Sequence, residues 1–511
     1  MKMQNIPAFG EKDFYENQAN TDVRVWTIRS ASHLFEKYRA LYKENGYAEK
    51  EYYECNGQQY AALQNGTDGV FLTAYETTRE LCIVEEADCP YFSYTDVMGE
   101  ARFSPQITQV TLRDFGMSYV IRVSDGRLIV IDGGFHYDED VEQLYRTLKE
   151  YFKEEKPVIA AWILTHTHED HMQCFVGFMQ KHAGDVIIEK MMFNFPAADD
   201  LTHYPDLTYE MPGVPNSAAT YQIPLMLKLI EENGIPVFTP HTGQKYSIGD
   251  AELTFLACMD DTIHLTSDIN ALSLVFRMEL GGQVILWMAD AACSYARLAE
   301  RYGHTLRADI LQVPHHGFQC GETEAEIRAY DFVKPSVCLL PVRDYFAYIA
   351  FCQFRKGTKH LMCSDTVREM ITGDTQRTLT LPYTARAGAR AELERNVRQG
   401  AQTNGACAWI FCDLSTACQS DMTFTVLNTT VLSTSLRVEL YFENKKDLRV
   451  ATVPKIPGRS IRSLCLIGKE DAIFPKETQL PTDAPFAVRF LSEQPLVVSH
   501  PTHHPAYRSA L

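Results

Sequence analysis

Apolar and polar positions change their period three times along the chain. In residues 1–105 the stretch Ala31–Asn45 has helical spacing. Tyr60–Leu63, Gly69–Ala74 and Glu80–Glu85 are short strand-like runs, with Gly66 and Gly69 marking a turn between the first two. These predict a mixed α+β segment that carries no chemical motif. From Gln106 the pattern becomes regular. Ile107–Leu112, Ser118–Val123 and Arg127–Ile131 read as consecutive strands, the last two joined by the hairpin-type pair Asp125-Gly126. Val141, Leu144, Leu148 and Phe152 fall on one face of a helix over Glu139–Phe152. Val158–Leu164 is continuously apolar, as a buried strand should be. The alternation of strand and helix runs on to about Pro382 and predicts an α/β domain over residues 106–383.

Residues 384–404, with Arg386, Arg390, Glu392, Glu394, Arg395 and Arg398 among small side chains, read as a polar connecting helix or linker. Beyond them no helical period remains. Met422–Leu427, Leu436–Phe442, Leu448–Val453, Ser460–Leu466, Phe486–Phe490 and Pro495–Ser499 are short strand-like runs. They predict an all-β sandwich or barrel over residues 405–511.

Composition narrows the classes of function. A chain of 511 residues exceeds the roughly 250–300 at which single cores stop growing, so two or three domains are expected. The net charge of -18 disfavours non-specific binding to polyanions, which argues against nucleic acid as a partner. No window approaches the ~20 apolar residues of a membrane-spanning helix, and Met1–Pro7 lacks the apolar core of a secretory signal. The 14 cysteines show no short-period framework and read as reduced thiols, so a cytoplasmic protein is expected.

The chemistry concentrates in Thr165-His166-Thr167-His168-Glu169-Asp170-His171, directly after the buried strand. Loops at strand C-termini are where α/β folds place their sites. Imidazole nitrogens and carboxylates suit Zn²⁺, Mn²⁺ or Fe. In an extended loop, residues two apart point the same way, so His166 and His168 can grip one ion. Asp170 and His171 lie one turn on, where a helix starts, and can face a second. Glu169 alternates away and is expected to face solvent or cap the helix.

This run resembles the HxHxDH signature of the metallo-β-lactamase fold, and other motifs agree with it in order. Ile131-Asp132-Gly133-Gly134 resembles the family's DGG motif, which implies that Asp132 orients the metal loop from behind the ligands. Trp287-Met288-Ala289-Asp290 resembles the strand ending in the family's metal-bridging Asp, although the usual Gly is here Ala289. Leu311-Gln312-Val313-Pro314-His315-His316-Gly317 resembles the strand-PHHG motif of the branch that holds competence-protein and phosphorylcholine-esterase hydrolases. One of the two histidines should ligate metal and the other face the reacting centre, a choice the motif leaves open; His315 is placed with the ligands and His316 with the catalytic groups. The family's remaining His has candidates in His182, His203, His241 and His264. Its usual position favours His264, while Asp268–Phe276 resembles a stretch in which Asn, here Asn270, holds that place and would support the ligands from behind. The resemblance covers residues 106–382 and implies an αββα sandwich.

The same resemblance implies a metal-dependent hydrolase with two divalent cations, zinc first and manganese or iron as alternatives. A hydroxide bridging the ions would attack a phosphoester or related ester of small or medium size. Asp170 would orient or deprotonate that water, and the ions would stabilise the oxyanion. A ligand-binding or sensory protein on a partly degraded hydrolase fold is the alternative. A di-iron redox member would need a carboxylate in the second HxH position, where His168 stands. In the C-terminal part, Ala408–Phe411, Thr425–Thr429, Val438–Glu443, Pro457–Ser460 and Glu493–Val498 resemble the sensory rhodopsin transducer family, which implies a small β-domain that forms homo-oligomers. Ser499–His504 reads as a solvated tail.

Overall fold

In the computed structural model, residues 14–18, 23–113, 116–153, 155–196, 218–262, 268–291, 297–318, 324–352, 355–374, 376–402, 406–415, 422–428, 433–442, 448–467, 472–475, 480, 484–500 and 507–509 are described. The chain divides into two compact units, Met1–Ala347 with Arg355–Glu394, and Tyr348–Phe354 with Arg395–Leu511.

The larger unit opens with an antiparallel sheet. Its strands run in space as Phe14–Gln18, Val23–Ile28, Glu80–Glu86, Asp68–Tyr75, Gln58–Asn65 and Ala48–Cys55. The helix Phe35–Glu44 lays Phe35, Tyr38 and Tyr42 on one face of this sheet, against Leu63, Leu72 and Ile83. The other face, through Val25, Tyr60, Ala62 and Phe71, belongs to the same core as the strands of the α/β region. The N-terminal segment thus shares its apolar interior with that region.

Two further sheets make the α/β region. One runs Val237–Phe238, Met191–Met192, Val158–Ile163, Leu128–Asp132, Ser118–Arg122, Gln106–Gln109 and Arg377–Thr380, so the chain returns from far downstream to complete its edge. The other runs Lys245–Ile248, Ala251–Ala257, Val275–Leu280, Gln283–Trp287, Ile310–Gln312, Val337–Leu339 and Glu369–Ile371. Apolar side chains from both sheets join one core, where the rings of Tyr119 and Trp287 meet edge-on at 4.9 Å. On the outside of the first sheet, the helix Asp138–Phe152 buries Val141, Leu144 and Leu148, the stripe its sequence predicts. The helix Glu169–His182 is buried from Asp170 to Met179. This is a mixed α/β architecture. The polar segment after Pro382 forms the helix Ala389–Gln402.

The smaller unit is β-rich. Its strand Pro485–Ser499 pairs with Thr434–Phe442 and Ala406–Ser415 along its first part and with Thr423–Asn428 along its last. The sequence pattern splits this element into two runs at Pro495. The backbone instead passes through a bulge, between the pairs Ala408–Leu491 and Ala406–Leu496, which accommodates a proline that cannot donate to the ladder. Phe411, Phe424 and Phe490 pack together in its core. Among the described residues, no helix of the chain is long and apolar enough to cross a membrane.

Candidate metal centre

Two adjacent parallel strands deliver the first half of the site. Leu128–Asp132 and Val158–Ile163 run side by side, with Ile131 opposite Ile163. The first ends on Asp132, whose φ of 53° turns the chain sharply. The Asp132 carboxylate is fully buried and accepts from the backbone N–H and the hydroxyl of Thr165, at 2.8 and 2.7 Å. It also lies 2.7 Å from Nδ1 of His171. Gly134 follows at φ 95°, with Leu112 so close that a Cβ would meet its Cδ1 at 2.6 Å. The Gly133 N–H reaches the carbonyl of His171 at 2.9 Å, which ties this turn to the start of the helix Glu169–His182.

The second sheet delivers the other half. Beyond Gln283–Trp287 the chain turns at Ala289, φ 47°, and presents Asp290. Beyond Ile310–Gln312, His315 and His316 stand at φ 49° and 51°. The left-handed region disfavours any residue with a Cβ, so these positions are held by their surroundings. Gln312, fully buried, is part of that hold. Its amide oxygen accepts from the Met288 N–H at 2.9 Å, and its amide nitrogen donates to the carbonyl of Ala289 at 3.1 Å. The N–H of His315 donates to the same carbonyl at 2.9 Å.

Together these turns bring six imidazole and carboxylate side chains to one place. Asp170, His171, Asp290 and His316 form one group of converging ligand atoms, and His166, His168 and Asp290 form another. Asp290 belongs to both. Its Oδ1 lies 3.2 Å from His171 Nε2, and its Oδ2 lies 3.4 Å from His316 Nε2 and 3.8 Å from His166 Nε2. Asp170 Oδ2 is 2.9 Å from His316 Nε2. His171 Nε2 faces His316 Nε2 at 3.1 Å, and His166 Nε2 faces His168 Nδ1 at 3.2 Å. His315 stands at the rim, Nε2 4.0 Å from Asp290, with 18% of its side chain exposed.

The electrostatics favour positive charge between these atoms. Burial alone would push His171 down, but Asp290, Asp170 and Asp132 outweigh it and hold its pKa well above the usual range. His316 is treated the same way and is raised to about 9 by Asp290 and Asp170 against its burial. Burial disfavours the charged form of Asp290, yet the facing imidazoliums bring it well below an ordinary carboxylate. His166, where burial is joined by repulsion from His171, is driven down, and His315 falls to about 4, mainly through burial. Imidazole nitrogens facing one another across about 3 Å, among three carboxylates, are a donor set that fits divalent cations.

The sequence placements fare unevenly. His166, His168, Asp170, His171 and Asp290 are gathered, with Asp132 behind them. The roles given to the histidine pair exchange places in the geometry, since His316 sits among the converging atoms and His315 outside them. Glu169 is the half-buried first residue of its helix, and burial together with Asp170 raises its pKa. Asn270 lies on the turn Ile269–Leu272, with its side-chain oxygen buried. His264 and His203 fall outside the described residues. His182 stacks on Tyr145 at 4.0 Å, and His241 is buried against Asp260 at 2.6 Å, so neither is a ligand here. Thr165 and Gln312 were missed. Only neighbours 33 and 24 positions away give them their roles.

Fold and ligand set together define an α/β protein with a candidate two-cation centre. Residues 112–245 match the family model described as the metallo-beta-lactamase superfamily. Asp290, His315 and His316 lie beyond the matched stretch. Among solved structures, a diiron beta-hydroxylase, CmlA from Streptomyces venezuelae, is 12% identical over 46% of this chain and 44% of its own, with a TM-score of 0.28. A Cronobacter sakazakii metallo-beta-lactamase mutant is 14% identical over 42% of this chain and 80% of its own, with a TM-score of 0.25. The Anabaena sensory rhodopsin transducer is 20% identical over 19% of this chain and 82% of its own, with a TM-score of 0.16. No curated protein matches the sequence.

Proposed function

We propose that the larger unit is a metal-dependent hydrolase of small or medium phosphoesters or related esters. The observation that carries this reading is Asp290, whose two carboxylate oxygens are shared between the two ligand groups. Two divalent cations, zinc first, would be held by His166, His168 and Asp290 on one side and by Asp170, His171, Asp290 and His316 on the other. When bound, such ions supply Lewis acidity and an activated water. The chain's own groups do the rest. Asp132 holds Nδ1 of His171, so that only Nε2 faces the centre. Asp170, beside His316, is placed to orient the attacking water and take its proton. His315, at the rim, is placed to meet the substrate. The preference for phosphoesters rests on the PHHG resemblance, and the net charge of -18 argues against long nucleic acids. The smaller unit is read as a homo-oligomerisation module, and the protein as cytoplasmic.

Elemental analysis, with a screen of bis-aryl phosphate and lactone substrates, tests the reading. About two equivalents of metal are expected, together with hydrolysis that chelation abolishes. Asp290→Ala should lose both. Less than one equivalent of metal, with activity unchanged in His166→Ala, would refute the hydrolase and favour a binding protein on the same fold.

A further inference from the structure

A cavity of about 170 Å³ opens on the outer face of the second sheet, and none of the ligand residues lines it. Its floor is a row across three antiparallel strands, in which Lys245 lies directly opposite Thr254 and Thr254 directly opposite Arg277. Tyr53 of the N-terminal sheet and Arg301 line it as well. Three of the lining residues are cations, against one carboxylate, Glu279. Arg301 is spent: its buried guanidinium bonds Glu80 at 3.2 Å and Asp261 at 2.7 Å. The other two cations are not. Arg277 reaches the exposed Glu279 through Nη2 at 3.4 Å, while its Nε is buried without a hydrogen-bond partner. The Lys245 ammonium lies over the Tyr53 ring at 4.3 Å. An exposed pair such as Arg277–Glu279 is worth only about 0–1 kcal/mol, so the guanidinium stays available to a stronger acceptor in the cavity it shares with Lys245.

We propose that this cavity binds a small phosphate-bearing anion through Arg277 and Lys245, separately from the metal centre. The planar guanidinium presents paired donors to a tetrahedral oxyanion, and the ammonium adds a point charge from the side. Thr254 sits between them in the row and can add a hydroxyl. The volume is below the ~300–1,000 Å³ of drug-sized pockets, which suits inorganic phosphate or a phosphomonoester with a short organic tail. Because the lining comes from both the N-terminal sheet and the second sheet, an occupant would also clamp the two together.

Calorimetric titration of the metal-loaded full chain with inorganic phosphate and with glycerol 3-phosphate, at constant ionic strength, tests this. The wild type should bind at least one of them, and the tighter ligand identifies the source. Asp290→Ala should retain this binding, whereas Arg277→Ala and Lys245→Ala should each weaken it about tenfold or more without loss of bound metal. If Arg277→Ala does not fold, Lys245→Ala, at an exposed position, carries the same comparison. No binding by the wild type at millimolar ligand means that only water fills the cavity, and the proposal fails. It fails equally if Asp290→Ala abolishes binding, or if both cavity variants bind as the wild type does.

Discussion

At the scale of single residues the site divides into what spacing can carry and what it cannot. His166, His168, Asp170 and His171 are legible because their positions within one short run already imply convergence. Asp290 is legible only as the end of a motif, and Thr165 and Gln312 not at all, since their partners are brought close by strand pairing. The histidine pair is the instructive case. Two adjacent identical residues cannot be ranked by type or spacing. Their order is decided by consecutive left-handed φ angles, which turn His316 inward beside Asp170 and leave His315 at the rim. The two therefore respond differently to the same substitution. His316→Gln is expected to lose about one equivalent of metal and to cut hydrolysis about 100-fold or more, whereas His315→Gln keeps both equivalents and loses less activity. Elemental analysis and kcat/KM of the two variants decide it, and equal metal loss in both would refute the assignment.

At the scale of elements, the pattern is readable where one face is buried. The stripe of Asp138–Phe152 and the apolar strand Val158–Ile163 stand within a residue or two of their predicted bounds. Ala48–Cys55 escapes because it is an edge strand with no buried position, and its charged side chains leave no apolar period to detect. Also illegible is how the N-terminal sheet joins the α/β region, because the junction is partly ionic. Glu86 on its strand Glu80–Glu86 approaches His241, itself buried against Asp260, at 3.4 Å. Burial would lower the His241 pKa, but Asp260 and Glu86 raise it to about 10. The folded value lies above the unfolded value of ~6.5, so this stabilisation is complete below that pH and lost as the pH rises through about 10. His241→Leu, which strands two buried carboxylates, is expected to cost about 3–5 kcal/mol near pH 6. It should also flatten the fall in stability between pH 6.5 and 10. Urea unfolding of metal-loaded wild type and variant across that range checks both, and parallel pH profiles would refute the role given to His241.

At the scale of the whole molecule, a strand at the end of a sheet offers unpaired backbone groups, and natural proteins usually guard it with charge. In the smaller unit Leu448–Ile456 is such an end strand, paired among the described residues with Thr434–Phe442 alone. Pro454 and Lys455 guard its last residues, but its first ones are apolar. Leu448 and Val450 lie on one face with 47% and 44% of their surface exposed, and Tyr441, directly opposite Leu448, is 41% exposed. Single exposed apolar residues are ordinary, but a contiguous group beside an open edge marks a contact surface. With a net charge of -18 on each chain, copies repel at long range, so self-association needs a local apolar contact of this kind and should strengthen as salt screens the repulsion. If the smaller unit assembles the protein through this edge, Leu448→Lys combined with Val450→Lys should convert an oligomer to a monomer in light scattering. Metal content and hydrolysis per chain should stay unchanged, because both substitutions lie outside the unit that holds the ligands. A wild type that is monomeric at all concentrations, or a double variant with undiminished mass, would reject the edge as the assembly surface.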